Sequence, residues 1–296
     1  MKACVGLPQA FFYFTYGQFW EKMLQECGVR VLLSGPTDRR MIEEGAALAP
    51  EGACLPIRVL LGHIAALGRQ QPDYIFIPRI VRWETGCTCP KTAGLPEIVR
   101  FSCPDLPPLL TPVIEDAAEN PRSYFRAGKV LGLSRERIRG ACRCAWEDFC
   151  RKSRREEDKA GRTIGLIGHP YLTEDPELNF HLRDRLREAG YACGGLRPPA
   201  PAPAAWGLYP KAMFWKSGRD MEDLTCRGLR ENWAGFIFLS AMGCGPDSCS
   251  SLYCENRVRQ MGKPCLELVL DEQSASAGAQ TRIEAFLDMV EREAAQ

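Results

Sequence analysis

The chain has 296 residues, 45% of them hydrophobic and 25% charged, and a formal net charge of +1. That balance is ordinary for a globular protein and excludes a strongly basic nucleic-acid binder or a polybasic membrane-surface protein. No run of about 18 uninterrupted apolar residues occurs, and the apolar N-terminal stretch is broken by Pro8, Gln9 and Gln18 without a small-residue cleavage site, so neither a membrane span nor an export leader is expected.

Taken in chain order, residues 3–7 read as a first strand. A helix is predicted over 16–27, where Phe19, Trp20, Met23, Leu24 and Cys27 fall on one face, and Gly28 stops it. Residues 29–33 form a short buried strand, 38–47 a helix, and 56–67 another helix with Pro56 in its first turn. Residues 74–78 are the next strand, and a long helix runs from about Ser134 into the most polar stretch, 153–161. That stretch is the expected boundary between an N-terminal α/β domain, 1–155, and a C-terminal α/β domain, 162–296. The pattern then restarts with a strand over 163–168, a helix over 176–189 ended by Gly190, and a strand over 191–196. A Pro-rich run, 197–203, reads as a stiff, extended connection. Strands follow over 235–240 and 265–270, and Ile283, Phe286, Leu287 and Val290 make the apolar stripe of a final helix.

Strands alternating with helices predict parallel sheets covered on both faces. The two halves also resemble each other. Val5-Gly-Leu7 leads through Pro8 to a helix, Gly28 and a strand, as Ile164-Gly-Leu166 leads through His169-Pro170 to a helix, Gly190 and a strand. The strand at Tyr74 runs on to Gly86-Cys-Thr-Cys-Pro90, and the strand at Phe236 runs on to Gly243-Cys-Gly-Pro246. An internal duplication giving two related α/β domains accounts for this.

Cysteine is the outlier, with 15 residues, an odd number. In a reducing cytosol, the expected location, abundant cysteine points to metal binding or thiol chemistry more than to a disulfide framework, although many such side chains simply pack as small hydrophobes. Three motifs stand at the loop positions where parallel sheets bind ligands: Gly52-Ala-Cys54-Leu-Pro56, Gly86-Cys87-Thr-Cys89-Pro90-Lys91 and Gly243-Cys244-Gly-Pro-Asp-Ser248. Each sets Cys beside Gly or Pro. Glycine lets the backbone approach a bulky inorganic core, and N–H groups at a helix start favour the thiolate, the ligating form. Spacing alone is a weak signal here: Cys87 and Cys89 form a C-x-C, and no C-x-x-C occurs.

With these motifs, the chain resembles the family related to the D-component of 2-hydroxyglutaryl-CoA dehydratase and to acyl-CoA dehydratase activases. The likeness lies in Gly6-Leu-Pro8, Phe19-Trp20, Ala53-Cys-Leu-Pro56 with Gly62-His63, Asp73-Tyr-Ile-Phe-Ile-Pro-Arg79, Cys89-Pro-Lys91, Gly165-Leu-Ile-Gly-His-Pro-Tyr171, Gly243-Cys-Gly-Pro-Asp-Ser248 and Leu270-Asp-Glu272. The resemblance implies paired Rossmann-like domains with an iron–sulfur cluster between them, a 4Fe-4S cluster or, as in a distant relative, a double cubane. It assigns Cys54, Cys89 and Cys244 as the ligand-like cysteines. It further implies low-potential single-electron transfer in an anaerobic cell, an ATP-dependent activator as partner, and a 2-hydroxyacyl-CoA as the class of substrate. The chain departs from the family at Gln273, where His is usual, and in its additional Cys87, Cys249 and Cys254, candidates for a fourth ligand or a second cluster. It has no phosphate loop of the G-x-x-x-x-G-K-[ST] type, so a separate reductase is expected. Two other functions stand beside this one: an accessory protein that holds or delivers a cluster without its own substrate, and a metal-free enzyme with a cysteine nucleophile.

Among the remaining candidates, His63 reads as a structural helix residue and His181 as a helix surface residue, while His169 stands at a strand end, a better functional place. Asp247 and Ser248 read first as caps of the following helix, and second as a substrate contact or an outer support of the cluster. Lys91 is suited to offset cluster charge, and Arg79 and Arg82 to attract an anionic substrate, if they are more than surface charge. Cys4, Cys27 and Cys193 are expected in the core, and Cys142 and Cys144, two apart on a helix, do not share a face.

Overall fold

A computed structural model describes residues 2–83, 86–153, 162–196, 206–211, 213–274 and 276–294. The boundary stretch beyond Ser153 and the Pro-rich connection 197–203 therefore lie outside the described residues. The chain divides into two compact units, Met1–Glu156 and Glu157–Gln296.

Unit 1 begins with β1 (Cys4–Leu7), α1 (Tyr13–Glu26), β2 (Arg30–Leu33), α2 (Arg39–Leu48), α3 (Leu55–Gln70) and β3 (Tyr74–Phe76). It continues with β4 (Arg79–Ile80), β5 (Arg82–Trp83), β6 (Gly86–Cys87), α4 (Pro90–Ala93), α5 (Leu95–Ser102), β7 (Leu109–Leu110), β8 (Val113–Ile114), α6 (Phe125–Val130) and α7 (Arg135–Ser153). Its main sheet is parallel, in the order β2-β1-β3-β7. Every residue of β1 is buried, as a central parallel strand covered on both faces requires. The apolar stripe read from the sequence of α1 is the stripe it buries: Phe19, Trp20, Met23 and Leu24 pack with Ile138, Ala141, Cys142 and Phe149 of α7 in one core. Within it, Trp20 Nε1 donates to the Tyr124 hydroxyl at 2.9 Å, so neither polar atom is stranded.

The helix pair α2–α3 matters for the site, because the start of α3 carries Cys54. Asp38 caps α2, its carboxylate accepting from the Met41 N–H at 2.7 Å. Gly45 and Gly62 let the two backbones touch. A Cβ at Gly45 would stand 1.9 Å from the Arg58 carbonyl oxygen, and one at Gly62 would stand 1.9 Å from that of Met41.

Unit 2 contains β9 (Thr163–Ile167), α8 (Pro170–Thr173), α9 (Leu182–Glu188), β10 (Ala192–Gly194), α10 (Lys216–Arg230), β11 (Gly235–Ala241), α11 (Gly245–Gln260), β12 (Cys265–Leu270) and α12 (Ser276–Ala294). Its sheet is parallel, in the order β10-β9-β11-β12. In both units the second strand lies beside the first, then come the third and fourth, so the pseudo-repeat seen in the sequence is a repeat of topology. The architecture is α/β, with two Rossmann-like parallel sheets. No described helix is long and apolar enough to cross a membrane.

One predicted helix is corrected. The segment 176–189 is helical only from Leu182 onward. Before it, Asp175 accepts from the N–H groups of Glu177 and Leu178, and Asn179 accepts from Leu182 N–H while donating to the Leu172 carbonyl. These side chains take backbone partners that a longer helix would need, and Phe180 and His181 turn through φ +58 and +56. His181 is accordingly an exposed cap residue in the left-handed region and not a helix-face residue.

Candidate metal centre

In unit 1, Cys54 and Cys89 each occupy the residue immediately before a helix, α3 and α4, and each is followed by proline within the first turn. Proline fits there because the first helical N–H groups have no intrahelical partner. Gly52, two residues before Cys54, takes φ +72 and turns the chain into the helix. The two motifs are tied by Lys91, whose ammonium donates to the Gly52 carbonyl at 2.7 Å. Cys89 Sγ lies 3.2 Å from the Thr92 hydroxyl, one turn along α4.

The Cys54 thiol is buried, and burial raises its pKa. The Lys91 charge and the Ile57 backbone N–H act in the opposite direction, and the Cys89 charge adds to the rise. The sulfurs of Cys54 and Cys89 are thus within electrostatic reach of each other, with a cation and a helix-start donor beside them. Cys87 lies in the β5–β6 hairpin, opposite Arg82. Arg79 is engaged within unit 1, donating to the Ala93 carbonyl at 2.7 Å and pairing with Glu97, so it is not the free anion-attracting charge expected from the sequence.

Cys244 belongs to unit 2. It stands immediately before α11, preceded by Gly243 at φ +80 and followed by a proline in the first turn. The arrangement repeats that of Cys54. Its neighbours are His169 and Asp247: one ligand atom from each of the three side chains lies within 4.8 Å of the others. Asp247 is a correction to the sequence-based expectation. It makes no capping hydrogen bond to the helix start; its buried carboxylate faces His169, whose Nε2 is 2.8 Å from Oδ1. Ser248 does not cap either, since its hydroxyl donates back to the Cys244 carbonyl at 3.0 Å. Burial lowers the His169 pKa, but the Asp247 carboxylate outweighs this and holds it above the ordinary imidazole value.

Cys249 is exposed, whereas Cys254 is buried, 3.8 Å from the Tyr209 hydroxyl, and its pKa is pushed up to about 11 by burial. Cys4, Cys142 and Cys193 are core residues, Cys27 is half-buried and Cys144 is exposed. His63 is structural: it is wholly buried between the Ser34 and Thr37 hydroxyls, at 2.7 and 3.1 Å. For Asp247 the capping role that the sequence favoured gives way to a contact with His169. The signal for it was topological, because β9 and β11 are neighbours and the loops that leave these two strands meet at their carboxyl ends.

Each unit is an α/β fold on a parallel sheet and presents a cysteine at a helix start. Residues 4–194, well over half of the chain, match the family described as the CoA enzyme activase uncharacterised domain (DUF2229), and the chain belongs to that family. Cys54, Cys89 and His169 fall within the matched span; Cys244 and Asp247 lie beyond it. No curated protein matches the chain. Among solved structures it is similar to the SBP FpvC from Pseudomonas aeruginosa in complex with Mn2+, at 13% identity and a TM-score of 0.29, over 99% of this chain and 98% of that one. It is also similar to ZnuA, at 11% identity and a TM-score of 0.27, over 98% of this chain and 99% of that one. At such values the likeness is too loose to define a shared site.

Proposed function

We propose that the chain is an iron–sulfur protein for low-potential single-electron transfer, related to 2-hydroxyacyl-CoA dehydratase subunits and served by an ATP-dependent activator. Its thiolate ligands are Cys54, Cys89 and Cys244, and the group they hold is a 4Fe-4S cluster, with a double cubane as the larger form. The observation that carries this reading is the convergence of Cys54 and Cys89, distant in sequence, at two helix starts joined by Lys91.

The residues fit such a group by the chemistry of their donors. Soft thiolates suit iron–sulfur clusters, and a bound metal replaces the thiol proton outright, so the raised pKa of Cys54 is no obstacle to ligation. Ile57 N–H and the Lys91 ammonium offset the negative charge that buried thiolates carry. Thr92 hydrogen-bonds the Cys89 sulfur, an interaction that raises a reduction potential by drawing charge from the ligand. When bound, the cluster supplies a one-electron couple. The partner class is an ATP-driven reductase, with an acyl-CoA as the small molecule, and the setting is an anaerobic cytoplasm.

The test is iron and acid-labile sulfide in Cys54→Ala and Cys89→Ala proteins purified without oxygen. Loss of iron with retention of the unit 1 fold supports the assignment. Full iron retention in both variants refutes it.

A further inference from the structure

In unit 2 the strand order reverses between β9 and β11: β10 lies on the outer side of β9, and β12 on the outer side of β11. The carboxyl ends of the strands at such a reversal form the crevice in which open α/β sheets bind ligands. His169 follows β9 by two residues, Cys244 follows β11 by three, and Asp247 lies in the first turn of α11. Three metal-binding side-chain types from the two connections that leave β9 and β11 therefore converge at the binding crevice, within 4.8 Å of one another.

The internal order of the three is informative. The Asp247 side chain is 1% exposed, and beyond His169 Nε2, 2.8 Å from Oδ1, no donor among the described residues reaches either of its buried oxygens. A buried carboxylate with one partner is costly unless its charge is answered locally. The short contact turns Nε2 towards the carboxylate, which leaves Nδ1 as the ring nitrogen turned away from it. No hydrogen bond among the described residues involves Nδ1. The ring plane is fixed by stacking on Tyr171, with centroids 4.7 Å apart and planes at 15°. A carboxylate that orients an imidazole through one nitrogen, so that the other faces a metal, is the usual outer support of a histidine ligand.

We propose that His169 is a metal ligand through Nδ1, beside the Cys244 thiolate, and that Asp247 is the residue that positions it. This rests on the cluster reading above and names a nitrogen donor beside Cys244. Histidine in place of cysteine raises the potential of an iron–sulfur centre, because a neutral ring donates less charge than a thiolate. The potential of this centre is then set partly by His169.

The experiment uses the full chain, purified without oxygen from cells supplied with histidine labelled with 15N in the ring. It measures iron, sulfide, the reduction potential and pulsed EPR of the reduced protein. The wild type is expected to show a strong 15N coupling. His169→Cys is expected to keep its iron, lose the coupling and shift to lower potential. Asp247→Asn is expected to keep the coupling but release iron to a chelator about 10–100-fold more readily. His169→Ala is expected to lose iron, and the Cys variant separates that loss from misfolding. A cluster without 15N coupling, or a coupling that survives in His169→Cys, overturns this inference alone. Absence of iron and sulfide in the wild type overturns the cluster reading and this inference with it. So does a single zinc ion held by His169, Cys244 and Asp247.

Discussion

Acidification is expected to destabilise unit 1 through His63. The ring is wholly buried in α3, and burial lowers its pKa from 6.5 to about 4. The folded-state value lies below the unfolded one, so the neutral form is the one that folding favours. Above about pH 6.5 both states are neutral and the residue contributes no pH dependence. As pH falls from there towards 4, the unfolded chain takes up a proton that the folded chain refuses, and stability is lost. At about 1.4 kcal/mol per pH unit, a gap of some 2.5 units amounts to about 3 kcal/mol. His63→Gln keeps a polar side chain between Ser34 and Thr37 but cannot titrate. Urea titrations from pH 7 to 4.5, read by NMR at the Val5 and Ile75 amides of β1 and β3, report on unit 1 alone. The wild type should lose stability more steeply than the variant, by one proton's slope, over this range. Parallel pH dependences would refute the reasoning, as would an imidazole titration of His63 near 6.5.

Gly45→Ala places a methyl carbon 1.9 Å from the Arg58 carbonyl oxygen. It should force α2 and α3 apart at a cost of at least about 2 kcal/mol, seen as a lower thermal midpoint and as weaker iron retention at Cys54. Cys142→Ser puts a hydroxyl in the core, where the thiol now lies 3.5 Å from the Met23 sulfur. It should cost about 1–3 kcal/mol and leave the iron content unchanged, the reverse of Cys54→Ala; equal iron loss in both would contradict the division between core and ligand cysteines. Trp20→Phe removes the donor to the Tyr124 hydroxyl and part of a fully packed ring, and should cost about 1–3 kcal/mol by chemical denaturation.

The parts of this architecture that were legible in the sequence are those set by local pattern. The α1 stripe, the all-apolar β1 and the proline after each motif cysteine are properties of a few neighbouring residues, and the observed elements match them closely. Where long-range or side-chain competition decides, the sequence was misleading. Asp175 and Asn179 hold the chain out of helix before Leu182, although the apolar spacing there is helical. Asp247 has the composition and place of a cap, but its partner is His169, supplied by a loop 78 positions earlier that only the strand order brings near. Likewise, the Lys91 bond to Gly52 that links the Cys54 and Cys89 motifs joins residues 39 apart, which no spacing rule encodes.

The most direct test of the central claim is the iron and acid-labile sulfide content of the full chain purified without oxygen, with absorbance recorded before and after reduction. The account predicts about four irons, or about eight for a double cubane, with matching sulfide and a broad visible absorbance that bleaches on reduction. Protein that folds fully, yet carries no iron under these conditions and gains none on reconstitution with iron and sulfide, would contradict it.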